Sequence, residues 1–208
     1  MGGLTHRFSD ERFAMPAAVI TGGRPGPAEL LHARHYQVTV TGQNLESVAR
    51  AQSELPGDVL VVRSDGRVPS DGDALMSAVS ARFGSLDVLF LNAGTFRPAP
   101  AAEVTEESFD EHADLHFKGQ CCTSQKALPL MNDGGSIALT VGSGPRRGTP
   151  GAMVVAATHG ALPAMLPSLV LALAPRRIRV DAVSPGATDT PLLNRLGVLE
   201  SGRDVMRS

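Results

Sequence analysis

The chain has no tryptophan and one tyrosine, Tyr36, and aromatic residues fill only 4% of its 208 positions. A phenol acting as acid or base is therefore excluded everywhere but at Tyr36. Cysteine is nearly as scarce: Cys121 and Cys122 are the only two, and a disulfide between neighbours is strained. A reducing, cytoplasmic setting is the expectation. Charge of one sign is not in excess, with a formal net charge of −2 and a pI near 6.3, which argues against nucleic acid or an anionic membrane as the main partner. The opening stretch MGGLTHRFSDERFAMP has no apolar run of the kind a secretory leader needs. Residues 1–15 read as a flexible arm and 16–208 as a single domain, since this length supports one sizeable core. Residues 151–174 carry no Asp, Glu, Lys or Arg and are long enough to cross a bilayer. His159, Pro163 and Pro167 interrupt that run and charged segments flank it, so the expectation is a buried helix of a soluble domain and no membrane contact.

What the chain does have is alternation. Short apolar runs recur at AAVIT (17–21), YQVTV (36–40), DVLVV (58–62), DVLFL (87–91), SIALT (136–140) and IRVDAV (178–183). Runs of this length, mostly apolar, predict strands buried on both faces. Helical patterns separate them at roughly 27–34, 45–54, 71–84, 105–131 and 152–174. Strand and helix in alternation predict βαβ units and an α/β doubly wound parallel sheet of about six strands, with helices on both faces. In such a sheet ligands bind beyond the carboxyl ends of the strands. The segments there are TGGRPGPA, TGQN, RSDG, LNAG, VGSGPRRG and SPGATDTP. A glycine turn that opens a helix after the first strand is suited to a pyrophosphate, because free backbone N–H groups and the helix dipole both favour an anion.

Taken together and in order, these segments resemble the short-chain dehydrogenase/reductase family from about Ala17 to Leu196. TGGRPGPA is similar to its glycine-rich turn, LNAG to its Asn-Asn-Ala-Gly, FDEHADLHFKG to the helix that carries a catalytic Asn, and VDAVSPGATDTP to its Pro-Gly loop beside the nicotinamide. The resemblance implies an NAD(P)-binding, Rossmann-like fold with strand order 3-2-1-4-5-6, and hydride transfer between alcohols and carbonyls. It places Gly22 and Gly26 in the phosphate turn. It sets Asp65, Asn92, Ala93, Gly94, Pro185, Gly186 and Thr190 at positions that contact the adenine, ribose or nicotinamide.

The same alignment exposes departures. The family's Tyr position holds Val155, its Lys position His159, its Ser position Gly142 and its Asn position His116. Valine has no proton to give and glycine has no side chain, so the usual mechanism cannot run through these groups. A slip of one residue would put Ser143 in the serine's role; no slip restores a tyrosine. Pro25 and Pro27 remove two N–H donors from the phosphate turn, Pro27 also being suited to the first position of a helix, and Ala28 replaces a glycine. Gln43 stands where an acid would meet a ribose 2′-OH or an arginine a 2′-phosphate, leaving the choice between NAD and NADP unread. The chain also reaches Ser208 soon after the Pro-Gly loop, so a substrate-covering helix and a seventh strand are expected to be missing.

His116 and His159 replace two members of one relay, which points to a pair of imidazoles close to each other; a pair of that kind titrates near neutrality and can move protons. The plain alternative is that both are partly buried packing residues. No metal is expected, because no third Cys, Asp or Glu is placed beside them. Cys121 and Cys122 read as core or dimer-interface residues, and Arg146 and Arg147 as a solvated turn. Three functions stay open. One is a repurposed enzyme doing isomerisation, cyclisation or elimination on a small molecule with histidine acid/base chemistry, or binding a ligand. The second is an NAD(P)-dependent oxidoreductase with an unusual proton donor, His159 or Ser143. The third is a silent partner of an active relative. The replaced residues favour the first and third, family resemblance the second. The apolar helix at 152–174, with that at 105–131, predicts a homodimer.

Overall fold

The computed structural model describes residues 15–23, 25–142 and 148–186. Its strands are β1 (Ala17–Ile20), β2 (Gln37–Gly42), β3 (Leu60–Arg63), β4 (Leu86–Leu91), β5 (Met131–Thr140) and β6 (Arg179–Val183). They form one parallel sheet in the order β3-β2-β1-β4-β5-β6. The expected fold class and strand order are therefore the ones found. β1 is buried at all four positions, as a central strand covered on both faces must be.

The helices are α1 (Pro25–Ala33), α2 (Leu45–Glu54), α3 (Pro69–Phe83), α4 (Glu106–Ala113), α5 (Gln120–Ala127) and α6 (Met153–Leu173). Ala28 of α1 and Ala51 of α2 bury against Ile20, Val38 and Val40 on one face of the sheet. Leu75 and Val79 of α3, Ala127 of α5 and Leu162 of α6 pack with Val19, Leu89, Ile137 and Leu139 on the other. Asn44 caps α2 reciprocally: its side chain accepts from Ser47 N–H at 2.9 Å while its own N–H donates to Ser47 Oγ at 3.1 Å. Such a box satisfies two of the orphan donors at a helix start.

Three expectations are corrected. α1 begins at Pro25, two residues before the predicted start, so both prolines of the turn lie in its first three positions, where a missing N–H costs no helical bond. The predicted helix over 105–131 is three pieces: α4, a π-helical turn at Asp114–Gly119, and α5, with β5 already under way at Met131. Gly119 shows what that wide turn accommodates: a Cβ there would overlap the Gly66 carbonyl, so the turn lies directly on the backbone that follows β3. Cys121 is exposed and Cys122 half-buried, both free thiols, so Cys121 is not a core residue.

α6 buries Val154, Thr158 and Leu162, one residue per turn on a single face, and Leu173 near its end. Its other side is apolar and open, with Met153 53% and Leu171 76% exposed. With the turn that follows, Met153–Arg176 is long and apolar enough to cross a membrane by length and composition. In this fold its buried face packs on the sheet and on the α4–π turn segment.

Candidate active site

The carboxyl ends of β1 to β4 border a cleft of about 190 Å³ on both sides of the point where strand order reverses. Gly22, Asp65, Asn92, Ala93 and Gly94 all line it. Gly22 has φ +77°, and a Cβ there would stand 2.8 Å from the Ala93 Cα, so the backbones of the β1 and β4 turns touch and only glycine fits. Two threonines hold this junction, and sequence reasoning did not single them out. Thr21 Oγ1 accepts the N–H of Asn92 at 2.9 Å and of Ala93 at 3.1 Å. Thr41 accepts Gly22 N–H on its hydroxyl at 3.1 Å and Gly23 N–H on its carbonyl at 2.6 Å. A hydroxyl directly after a buried strand, beside the glycine turn, was the available signal.

The polar groups of the cleft are mostly engaged. Asn92 Oδ1 accepts from the Thr140 hydroxyl at 3.0 Å. The Asp65 carboxylate is gripped by Arg67, from Nε to Oδ1 at 2.9 Å and Nη2 to Oδ2 at 2.6 Å, and the Arg67 guanidinium holds its pKa below the usual carboxylate value. Among the described residues, one fully buried side-chain atom of the cleft wall has no hydrogen-bond partner, Gln120 Oε1. An orphan acceptor and a glycine cradle at a strand-to-helix turn fit a polar ligand such as the adenosine end of a dinucleotide. Gly26, between two prolines, is the second residue of α1 and exposed, outside the residues that line the cleft; an N–H in a helix's first turn has no intrahelical acceptor and suits a phosphate. Pro185 and Gly186 follow β6 at the surface. Ser143, Arg146, Arg147, Thr190 and the residues after the Pro-Gly loop lie outside the described residues.

The second part of the site is built where α4, the π turn and α6 meet. His116 and His159 are close, with ring centroids 4.2 Å apart at 68°. No hydrogen bond passes between them. His116 is fully buried; its Nε2 accepts the Thr95 N–H at 2.9 Å and its Nδ1 donates to the Thr158 hydroxyl at 3.1 Å. His159 Nδ1 accepts the Gly142 N–H at 2.5 Å. A Cβ on Gly142 would lie 3.2 Å from that same nitrogen. Gly142 and His159 are thus one structural feature, the ring filling the space a side chain on Gly142 would need. Burial, with the two neighbouring imidazoles, pushes the His116 pKa down to about 3, and burial lowers that of His159 as well. Both are neutral at pH 7. A third imidazole completes the group: His112, also fully buried, 5.6 Å from His116. One helical turn before His116 on the same face, it was legible from spacing alone. Val155 is half-buried. Among the described residues no cluster of three or more His, Cys, Asp or Glu has the arrangement to hold a metal ion.

A sheet of this order with its cleft at the reversal point defines a nucleotide-binding Rossmann-type domain. A family profile described as enoyl-(acyl carrier protein) reductase matches residues 26–207, and the chain belongs to the short-chain dehydrogenase/reductase family. It is similar to an oxidoreductase of Sarocladium schorii, 32% identical over 188 residues that cover 88% of this chain and 76% of the relative. An uncharacterised oxidoreductase of Staphylococcus aureus (strain N315) is 30% identical over 183 residues, covering 84% and 79%. Among solved structures it is similar to a 3-ketoacyl-(acyl-carrier-protein) reductase from Brucella melitensis complexed with NADH, with TM-score 0.80 and 29% identity over 86% of this chain and 78% of that one. A short-chain dehydrogenase from Burkholderia cenocepacia in complex with NADP gives TM-score 0.81 and 29% identity over 87% and 78%.

Proposed function

We propose that the chain is an NAD(P)-dependent oxidoreductase acting on the alcohol or carbonyl group of a small molecule, with His159 in place of a tyrosine as the group that meets the substrate oxygen. Family membership and relatives described as oxidoreductases support the reaction class, and two solved relatives that hold NADH and NADP support the cofactor. These comparisons favour the redox reading over the repurposed or silent one that the replaced residues favour. A bound nicotinamide supplies or accepts the hydride. Gly22 and Gly26 at the start of α1 would hold the pyrophosphate, and the Asn92–Gly94 turn the adjoining ribose.

The observation that carries the role of His159 is its bond from Gly142. A ring nitrogen that accepts an N–H has no proton of its own, so the proton of the neutral ring sits on Nε2. The half-buried ring then presents an N–H donor, not a base. A neutral imidazole of this kind polarises a carbonyl and stabilises the oxyanion formed as hydride arrives. Val155 beside it keeps the wall apolar, which favours the uncharged ring. A second reading, non-redox chemistry or ligand binding in the same cleft, is favoured by one observation: His116, the former relay position, has both nitrogens engaged and takes no proton near neutrality.

Assembly belongs to the same proposal: a homodimer formed through the open face of α6 and the exposed Phe109 and Phe117 beside it. The partners proposed are a small-molecule substrate and a second copy, not nucleic acid or membrane, in the cytoplasm. The test is calorimetric titration with NADH and NADPH, followed by hydride transfer to a panel of aldehydes and ketones with the wild type and His159→Phe. Micromolar binding, with turnover that drops at least tenfold in the variant, is expected. No binding at millimolar cofactor would overturn the redox reading.

A further inference from the structure

His112, His116 and His159 stand in a row, 5.6 Å and then 4.2 Å between successive ring centroids. Each accepts one backbone N–H from a segment at the carboxyl edge of the sheet. Arg97 N–H reaches His112 Nε2 at 3.3 Å, Thr95 N–H reaches His116 Nε2 at 2.9 Å, and Gly142 N–H reaches His159 Nδ1 at 2.5 Å. On the far side, His112 Nδ1 donates to the Ser108 carbonyl at 2.7 Å. His116 Nδ1 donates to the Thr158 hydroxyl, which donates in turn to the Val154 carbonyl at 3.0 Å. Only a neutral imidazole can accept. The contacts therefore specify three tautomers: Nδ1–H for His112 and His116, Nε2–H for His159.

We propose that these three rings act together as a positioning column, which holds the Thr95–Arg97 segment and the end of β5 against α6 and the π turn only while all three are uncharged. The held segment runs on directly from Asn92, Ala93 and Gly94 of the cleft wall. Gly94 itself adjoins the column, since a Cβ there would lie 3.5 Å from His116 Nε2.

The surroundings offer an imidazolium nothing. On α4, Glu111 pairs with Arg97 at 3.1 Å and with Arg67 at 3.4 Å. Glu106, Glu107, Asp110 and Glu111 line a separate surface hollow with those two arginines. Lys118 of the π turn pairs with Asp114 at 3.1 Å. α6 carries no charged residue besides His159 itself when protonated, and the end of β5 carries none. Among the described residues no carboxylate forms an ion pair with His112, His116 or His159. A proton added to any ring thus puts a cation beside a neighbouring imidazole, or two in the case of His116, without an ion-paired anion among the described residues, and removes the acceptor of one loop N–H. The lowered pKa values of His116 and His159 agree with a neutral column. His116 and His159 occupy positions of the proposed active site, but the column is defined by protein contacts and needs no ligand.

The test is nitrogen NMR of the full chain labelled at histidine, with amide hydrogen exchange in the same samples. At pH 7.5 the expected result is two Nδ1–H rings and one Nε2–H ring, with His116 staying neutral down to pH 5. The Thr95, Arg97 and Gly142 amides should exchange at least tenfold more slowly than the exposed amides of the same loops. His112→Ala is expected to speed exchange at Arg97 at least tenfold, and His112→Gln, whose amide can still accept, to restore protection. Titration of His116 between pH 5 and 8, the opposite tautomers, or unprotected amides at the three positions would overturn the proposal. Tautomers and protection as expected, together with no dinucleotide binding, would support the column while overturning the redox reading.

Discussion

Lowering the pH from 7.5 to 5.0 is expected to weaken the fold chiefly through His116. The folded chain holds this ring at about 3, whereas an unfolded histidine titrates near 6.5. The unfolded state therefore takes up the proton first. Stability from this group is complete above about pH 6.5, falls as the pH drops below that value, and is fully lost near the folded pKa. By pH 5 the unfolded ring is almost wholly protonated and the folded one is not, which amounts to about 2 kcal/mol against the folded state. His159, lowered too, acts in the same direction. Asp65 does not confuse the window, since its depressed pKa contributes stability that is lost only below about pH 4. Urea unfolding at the two pH values measures the effect. With a slope of about 2 kcal/mol per molar, the midpoint should move down by about 1 M or slightly more. His116→Asn keeps an acceptor and a donor but cannot titrate, and its midpoint should move by only a few tenths molar. An unchanged wild-type midpoint, or the same movement in the variant, would refute the claim that this imidazole is held neutral by burial.

Gly22→Ala should destabilise the chain by about 2 kcal/mol and abolish dinucleotide binding, since φ +77° and a Cβ 2.8 Å from the Ala93 backbone both oppose it; thermal melting and calorimetry read the two effects. Gly142→Ser alone should cost about 1–3 kcal/mol, because its Cβ meets His159 Nδ1 at 3.2 Å, and the loss should shrink when His159→Lys is added. The triple variant Val155→Tyr, His159→Lys, Gly142→Ser should not turn over generic ketones at ordinary enzyme rates, because Pro25 and Pro27 still thin the phosphate donors; rapid turnover would show the cradle to be sufficient. Sedimentation at tens of micromolar should show a dimer, converted to monomer by Leu171→Glu on the open face of α6; a wild-type monomer would remove the proposed interface.

Much of this protein is legible in its sequence because burial has a period. Runs such as AAVIT and DVLFL, apolar at all but one position, read as strands covered on two faces, their alternation with helical stretches predicts a doubly wound sheet, and the family resemblance adds the strand order that is observed. The cleft residues after β1, β3 and β4 follow from that order, and so does the absence of a phenol at Val155. The sequence also put His116 and His159 near each other, since the helices that carry them face across one site. What it could not supply were the bonds. The Gly142–His159, His116–Thr158 and Asn92–Thr140 contacts join residues 17, 42 and 48 positions apart, and no local pattern specifies which nitrogen meets which N–H. The π turn that splits the helix at Asp114–Gly119 was hidden for a related reason: its sequence has ordinary helical character, and the extra width shows only where Gly119 rests on the Gly66 backbone. Asp65 carried a family position in the sequence, but only the folded chain shows its carboxylate committed to Arg67. Local sequence sets which faces are buried; only tertiary packing decides which partner each buried polar atom finds, because hydrogen-bond direction depends on distances between segments that the periodicity of either one does not contain.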